Sequence, residues 1–175
     1  MDTPPNTGSP STEGHPASAS DISFRELRVG EDATAFRTLN EEWISEHFVL
    51  EDKDREQLGH PETILNQGGH IFLVLRDGES VGCAALVPMA AGVYQLSKMA
   101  VAPQVRGLGI GRSLALHLIA QARTLGAQSL FLGSNTKLVN AVKLYESVGF
   151  RHVGPDEIPQ LPYNRVDVFM KLDLW

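Results

Sequence analysis

A chain of 175 residues that is 42% hydrophobic and 21% charged can bury one core and is too short for two ordinary domains. Its formal charge of -6 argues against a general nucleic-acid binder, which needs clustered Lys and Arg to release counterions. Cys83 is the only cysteine, which excludes an intrachain disulfide and suits a reducing cytoplasm.

Residues 1–20 are rich in Pro, Ser, Thr and Gly and hold no large apolar residue after Met1, so a disordered tail is expected there and a single domain over 21–175. This stretch lacks the basic start and apolar run of a secretory signal. No later segment reaches the ~18 consecutive apolar residues of a membrane-spanning helix, so a soluble, cytoplasmic protein without membrane partners is expected.

A first strand is expected over 22–29, closed by Gly30, and then a helix from about 32 to 47, where Phe36, Leu39, Trp43 and Ile44 recur at helical spacing. A shorter helix over 52–58 ends at Gly59-His60-Pro61. Residues 71–75 and 81–87 are apolar runs separated by Asp77-Gly78, which predicts a hairpin of central strands. The next strand covers 93–101, but its strongest apolar residues, Leu96 and Met99, are three apart where a strand needs two or four. That break predicts a bulge.

Ile110, Leu114, Leu118 and Leu125 form an apolar stripe on a helix over 109–125, stopped by Gly126. A strand over 128–133, a helix over 137–148, a strand over 150–153, a proline-marked loop over 155–162 and an alternating strand over 166–174 complete the chain. The order β-α-α-β-β-β-α-β-α-β-β predicts an α/β fold with a mixed central sheet of about seven strands flanked by about four helices, not a doubly wound parallel sheet.

The stretch Val101-Ala102-Pro103-Gln104-Val105-Arg106-Gly107-Leu108-Gly109-Ile110-Gly111-Arg112 passes from strand through a glycine-rich turn into a helix. Glycines allow close backbone approach to a phosphate, and the first N–H groups of a helix have no partners within it. Spacing separates the phosphate-binding families that share this physics. A P-loop needs Gly-Lys-Ser/Thr where Gly111-Arg112-Ser113 stands, and a dinucleotide fingerprint begun at Gly107 needs glycine or alanine at Arg112. The pattern that fits is Arg-x-x-Gly-x-Gly, formed by Arg106, Gly109 and Gly111 and preceded by Met99-Ala100-Val101. Downstream, Ala141-Val142-Lys143-Leu144-Tyr145-Glu146-Ser147-Val148-Gly149-Phe150 supplies an Ala-x-x-Leu-Tyr-x-x-x-Gly-Phe segment.

On these two ordered motifs the chain resembles the GCN5-related N-acetyltransferases (GNAT) over roughly residues 22–174. The resemblance implies the acyl-CoA N-acyltransferase fold, with a mostly antiparallel sheet, and acetyl-CoA as acetyl donor. Backbone groups of Gly107, Leu108, Gly109, Ile110, Gly111 and Arg112 would hold the pyrophosphate, flanked by the Arg106 and Arg112 charges. Met99, Ala100 and Val101 would meet the thioester carbonyl beside strands splayed by the bulge, and Tyr145 would protonate the departing thiolate.

The sequence also departs from the family pattern. Gly133 stands where many members carry a glutamate on the fifth strand, and Gln95 where a carboxylate is often found on the fourth. Leu138 stands where relatives place a coenzyme-touching asparagine, for which Asn135, or else Asn140, would substitute. Deprotonation of the acceptor is left open between water, bulk solvent and a residue of the 41–60 rim, where Glu42, Glu46 and His47 qualify by position alone. Cys83 lies in an apolar run and reads as a small buried hydrophobe, and no His/Cys spacing indicates a metal.

The resemblance implies acetyl transfer to a primary amine by direct attack in a ternary complex. The alternative is a catalytically weak acyl-CoA-binding or regulatory module. An acidic rim of Glu41, Glu42, Glu46, Glu51, Asp52 and Asp54 would suit a cationic amine. The acceptor itself is not read from the sequence, and a homodimer is compatible with it.

Overall fold

The computed structural model describes residues 21–175, so the tail expected over 1–20 lies outside the described residues. In chain order the elements are β1 (Ile22–Leu27), α1 (Thr34–His47), α2 (Asp52–Gly59), α3 (Glu62–Asn66), β2 (His70–Arg76), β3 (Glu79–Ala90), β4 (Val93–Val101), α4 (Ile110–Thr124), β5 (Ser129–Ser134), α5 (Val139–Ser147), β6 (Arg151–His152) and β7 (Val168–Asp173). Short 3-10 turns at Pro103–Val105 and Pro155–Glu157 link them.

α3 adds a fifth helix to the four expected from the sequence. Pro61, which ends one helix in the sequence reading, starts the next as its N-cap with φ -62, already in the helical range. Ile64 anchors this single turn with 2% exposure.

The seven strands form one sheet in the order β1-β2-β3-β4-β5-β7-β6. Neighbours are antiparallel except β4 and β5, which run parallel. α1 and α4 both pack on β3 and β4. Leu114 and Leu118 of α4 are fully buried, each contributing roughly 1.5–3 kcal/mol of hydrophobic stabilisation. The α4 stripe differs from the expected one at its end: Leu125 is 39% exposed because the helix stops at Thr124, and Ile119 and Ala122 complete the buried face.

The bulge implied by Leu96 and Met99 is present. Cys83 pairs with Ala100 and Ala85 with Ser97, so two β4 residues, Lys98 and Met99, oppose the single residue Ala84. Lys98 takes up the extra length with φ +54, an uncommon conformation for a side chain of its size. Parallel pairing of β4 with β5 covers only Val93–Gln95 against Ser129–Phe131. Past the bulge the two strands share no further ladder, and the site lies where that pairing stops.

Candidate active site

The glycine-rich turn owes its shape to two residues. Gly107 and Gly109 have φ +84 and +77, in the left-handed region that L side chains disfavour. Gly109 is the N-cap of α4 and offers no side chain to it, so the first-turn N–H groups of the helix have no side-chain cap. Gly111 serves packing instead: a Cβ there would stand 3.2 Å from Leu144 Cδ1 on α5.

A cleft of about 460 Å³ runs along this turn, and among the residues singled out by sequence it is lined by Met99, Ala100, Val101, Arg106, Gly107, Gly109, Ile110, Gly111, Arg112 and Tyr145. Leu108 is 36% exposed and is not part of the lining. The two arginines differ in state. Arg106 donates to Glu46 Oε1 and Oε2 on α1 at 3.0 and 2.9 Å, a bidentate pair that ties the turn to α1. Arg112 is exposed and forms no salt bridge among the described residues.

Asn135, the asparagine expected beside the coenzyme, does not line this cleft but stands on the wall of the adjoining cavity. Its amide donates to the Arg165 carbonyl at 2.7 Å and its Oδ1 accepts from the Lys137 N–H at 2.8 Å, so it braces the β5–α5 loop. Asn140 is the asparagine that lines the cleft.

Tyr145 stands on α5 with its hydroxyl 3.7 Å from Met99 Sδ and its ring edge-on to Phe150, 5.9 Å between centroids. Burial pushes its hydroxyl up to about 12, so the proton is in place at neutral pH. Tyr145, Met99, Trp43 and Ala141 line both the cleft and a second cavity beyond it.

That second cavity, about 100 Å³, has room for several waters or a small chemical group. Trp43, Ile44, Phe48, Leu132 and Leu161 supply apolar wall, while Gln95, Ser97, Lys98, Ser134, Tyr163 and Arg165 supply polar groups. Behind the wall sits Asp54, fully buried near the start of α2, where it forms a capping box with Glu51. Asp54 Oδ1 accepts from Lys98 Nζ at 2.5 Å and Arg165 Nη2 at 2.8 Å, and Oδ2 accepts from Arg165 Nη1 at 2.7 Å and the Glu51 N–H at 2.9 Å. Burial opposes the Asp54 charge, but the Arg165 hydrogen bonds and the Lys98 charge outweigh it and hold the carboxyl at about 2.

Burial lowers the Lys98 ammonium from its ordinary value, with Asp54 as the main counterweight. Lys98 Nζ and Arg165 Cζ each lie 4.5 Å from the centroid of the Tyr163 ring. The Tyr163 hydroxyl accepts from Lys98 at 3.0 Å and donates to Gln57 Oε1 at 3.0 Å.

Lys98, Tyr163 and Arg165 escaped the sequence reading. One signal for Lys98 was available: a lysine between Leu96 and Met99, at the step where the spacing predicts the bulge. The acidic rim also changes character. Glu41 pairs with Arg37, Asp52 with Arg55, Glu46 with Arg106, and Glu51 and Asp54 with Arg165, so most of these carboxylates already have cationic partners.

Gly133 faces the space that a carboxylate would need. A Cβ there would lie 2.5 Å from Leu161 Cδ1 and 2.7 Å from Val166 Cγ1, so those two side chains fill the place. Gln95 is 8% exposed, and its amide makes no hydrogen bond among the described residues. Cys83 is fully buried, and burial raises its thiol to about 12, which leaves it no nucleophilic thiolate. His117 stacks on Phe24 at 4.1 Å and meets the Phe72 edge at 5.3 Å, a packing role away from the cleft. Among the described residues there is no group of His, Cys, Asp and Glu able to hold a metal, and no helix long and apolar enough to cross a membrane.

Residues 34–150 match the profile of the acetyltransferase (GNAT) family. An uncharacterized N-acetyltransferase of Schizosaccharomyces pombe is 30% identical over 158 residues, covering 85% of this chain and 96% of that protein. A mycothiol acetyltransferase of Acidothermus cellulolyticus is 30% identical over 156 residues, 78% of this chain and 46% of the relative, so the chain spans about half of that protein. Among solved structures, a GNAT-family acetyltransferase of Staphylococcus aureus superposes with TM-score 0.79 at 21% identity, covering 88% of this chain and 99% of the other. A GNAT-family acetyltransferase of Elizabethkingia anophelis, solved with acetyl-CoA bound, superposes with TM-score 0.66 at 20% identity over 88% and 99% of the two chains.

Proposed function

The chain belongs to the GNAT family of acetyltransferases, whose acetyl donor is acetyl-CoA, and from that premise we propose that it acetylates a primary amine by direct attack in a ternary complex. The observation that carries this reading is Tyr145, which stands in the wall shared by the glycine-turn cleft and the inner cavity. A donor laid along the turn and an acceptor in the cavity would meet at this residue. Cys83, the one cysteine, is fully buried with its thiol held protonated, so it offers no thiolate for a covalent enzyme intermediate, in keeping with direct attack.

In this mechanism the first-turn N–H groups after Gly109 and the Arg112 charge hold the pyrophosphate, with Asn140 beside them. Backbone groups of Met99 to Val101, freed from β5 where the ladder stops, receive the thioester carbonyl. The amine nitrogen bonds to the carbonyl carbon, the carbon–sulfur bond breaks, and Tyr145 gives its proton to the leaving sulfur. The amine must first lose a proton. Because side chains fill the space at Gly133 and no carboxylate among the described residues lines the cavity, we assign the removal of that proton to water.

Calorimetric titration with acetyl-CoA tests the site. The wild type should bind at micromolar level, and Gly109→Asp should weaken binding by about 100-fold or more, because it sets a negative charge at the helix N-terminus and a side chain at a left-handed position. Nothing lies within 4 Å of a Cβ there, so the cost of the variant is limited to the roughly 1–2 kcal/mol of a left-handed side chain, and circular dichroism should show it folded. Equal binding by both proteins would remove the turn from the site. Binding without acetyl transfer to any amine would favour an acyl-CoA-binding module, the reading that the filled space at Gly133 otherwise supports.

A further inference from the structure

The inner cavity carries a charge pattern opposite to that of the acidic rim. Among the described residues, Lys98 and Arg165 are its only charged lining residues, and no Asp or Glu reaches its wall. Asp54 lies behind them, and its four hydrogen bonds fill the roughly four acceptor sites of a carboxylate. Glu51 is likewise engaged, by the Asn164 N–H at 3.0 Å and Arg165 Nη1 at 3.1 Å.

Donor capacity, by contrast, is left over. Lys98 has three N–H groups, of which Asp54 and Tyr163 take two. Arg165 has five, of which Asp54 and Glu51 take three, and its side chain keeps 17% exposure. Gln95 and Ser97 add further uncommitted polar groups to the same wall. Lys98 and Arg165 together balance Asp54 and Glu51, so the cluster is neutral before any ligand arrives. A second ammonium would meet two cations, a saturated Asp54 and a Glu51 already paired with Arg165, whereas an anion would meet donors with capacity to spare.

We propose that the acceptor is a small amino acid, whose carboxylate binds the free donors of Lys98 and Arg165 while its amine faces Tyr145. This inference rests on the acetyl-transfer reading above and replaces the cationic amine suggested by the rim. It makes Lys98 and Arg165 specificity residues. The cavity has room for a carboxylate and a short carbon frame.

The test measures coenzyme A thiol release with matched sets of acceptors: the common α-amino acids, their α-amides and the amines left when the carboxylate is removed. At least one acid should exceed its amide and its amine by about 100-fold in kcat/KM, since a site built to hydrogen-bond a group rejects analogues that lack it. In Lys98→Met that preference should fall to about tenfold or less while calorimetric affinity for acetyl-CoA is unchanged. An amide or amine that matches the acid would overturn the proposal, as would a preference that survives both Lys98→Met and Arg165→Gln.

If none of these acceptors turns over, titration of succinate, glutarate and 3-phenylpropionate into the acetyl-CoA complex decides the cavity separately. Binding that is lost in Lys98→Met upholds carboxylate recognition; absence of binding in the wild type ends it. Should Lys98→Met lose acetyl-CoA binding as well, Arg165→Gln, at a more exposed position, supplies the same comparison.

Discussion

The coenzyme cleft and the inner cavity meet at Tyr145 but are made in different ways. The cleft is mostly one continuous stretch, from Met99 to Arg112, and its key features are backbone conformations at Gly107 and Gly109. The cavity is made of side chains from separate parts of the chain, joined by hydrogen bonds that span 44, 65 and 111 residues. A binding surface of backbone tolerates almost any fold-compatible neighbour. A surface of buried charges works only if every partner is present, since an uncompensated ion in the interior is costly.

The largest expected effect follows from that dependence. Asp54→Asn keeps the shape but leaves Lys98 and Arg165 without their shared counter-charge, and should lower unfolding free energy at neutral pH by about 3–5 kcal/mol, measured by urea denaturation. The pH dependence has a definite sign. The Asp54 carboxyl is lowered from 3.8 to about 2 in the folded protein, so its stabilisation is complete above 3.8 and is lost as pH falls through about 2. The gap between wild type and Asp54→Asn should therefore narrow by roughly 2 kcal/mol across that window. A gap that stays constant would mean that Asp54 does not hold the cavity cations.

The same contrast explains what the sequence revealed. The strands, the two long amphipathic helices α1 and α4 and the glycine turn follow from local spacing, because each is set by neighbours within a few residues. Even the bulge was visible in the three-residue step from Leu96 to Met99, although the Lys98 conformation that accommodates it was not. Asp54 and Arg165 carried no such mark. On α2, Asp54 sits among Asp52, Lys53, Arg55 and Glu56, and only the approach of the β6–β7 loop turns one of these charges inward. Asn135 and Asn140 failed to separate for a related reason: both lie near the start of α5, and the choice depends on Arg165, thirty residues away.

Tyr145→Phe tests the residue that the two regions share. It removes one hydroxyl whose contact is Met99 Sδ, so coenzyme affinity should hold while kcat falls by about 100-fold, the usual worth of a positioned general acid. With the hydroxyl raised to about 12, the wild-type rate should show no loss from this group until pH nears that value. Unchanged kcat in the variant would leave Tyr145 as a packing partner of Met99 and Phe150, and the thiolate would leave unassisted.

The smallest effect concerns the two arginines of the turn. If the cleft works through its backbone, Arg106 acts mainly by tying the turn to α1 through Glu46, and its charge is already matched there. Arg106→Gln should then weaken acetyl-CoA binding by less than about threefold, in keeping with the small worth of exposed ion pairs. Arg112→Gln removes a charge without such a partner and should cost more, about five- to tenfold, with stronger dependence on salt. Equal losses in the two variants would mean that Arg106 leaves Glu46 when the pyrophosphate arrives. The cleft would then depend on a movable charge, as the cavity depends on fixed ones, and the division between a backbone-built and a side-chain-built site would no longer hold.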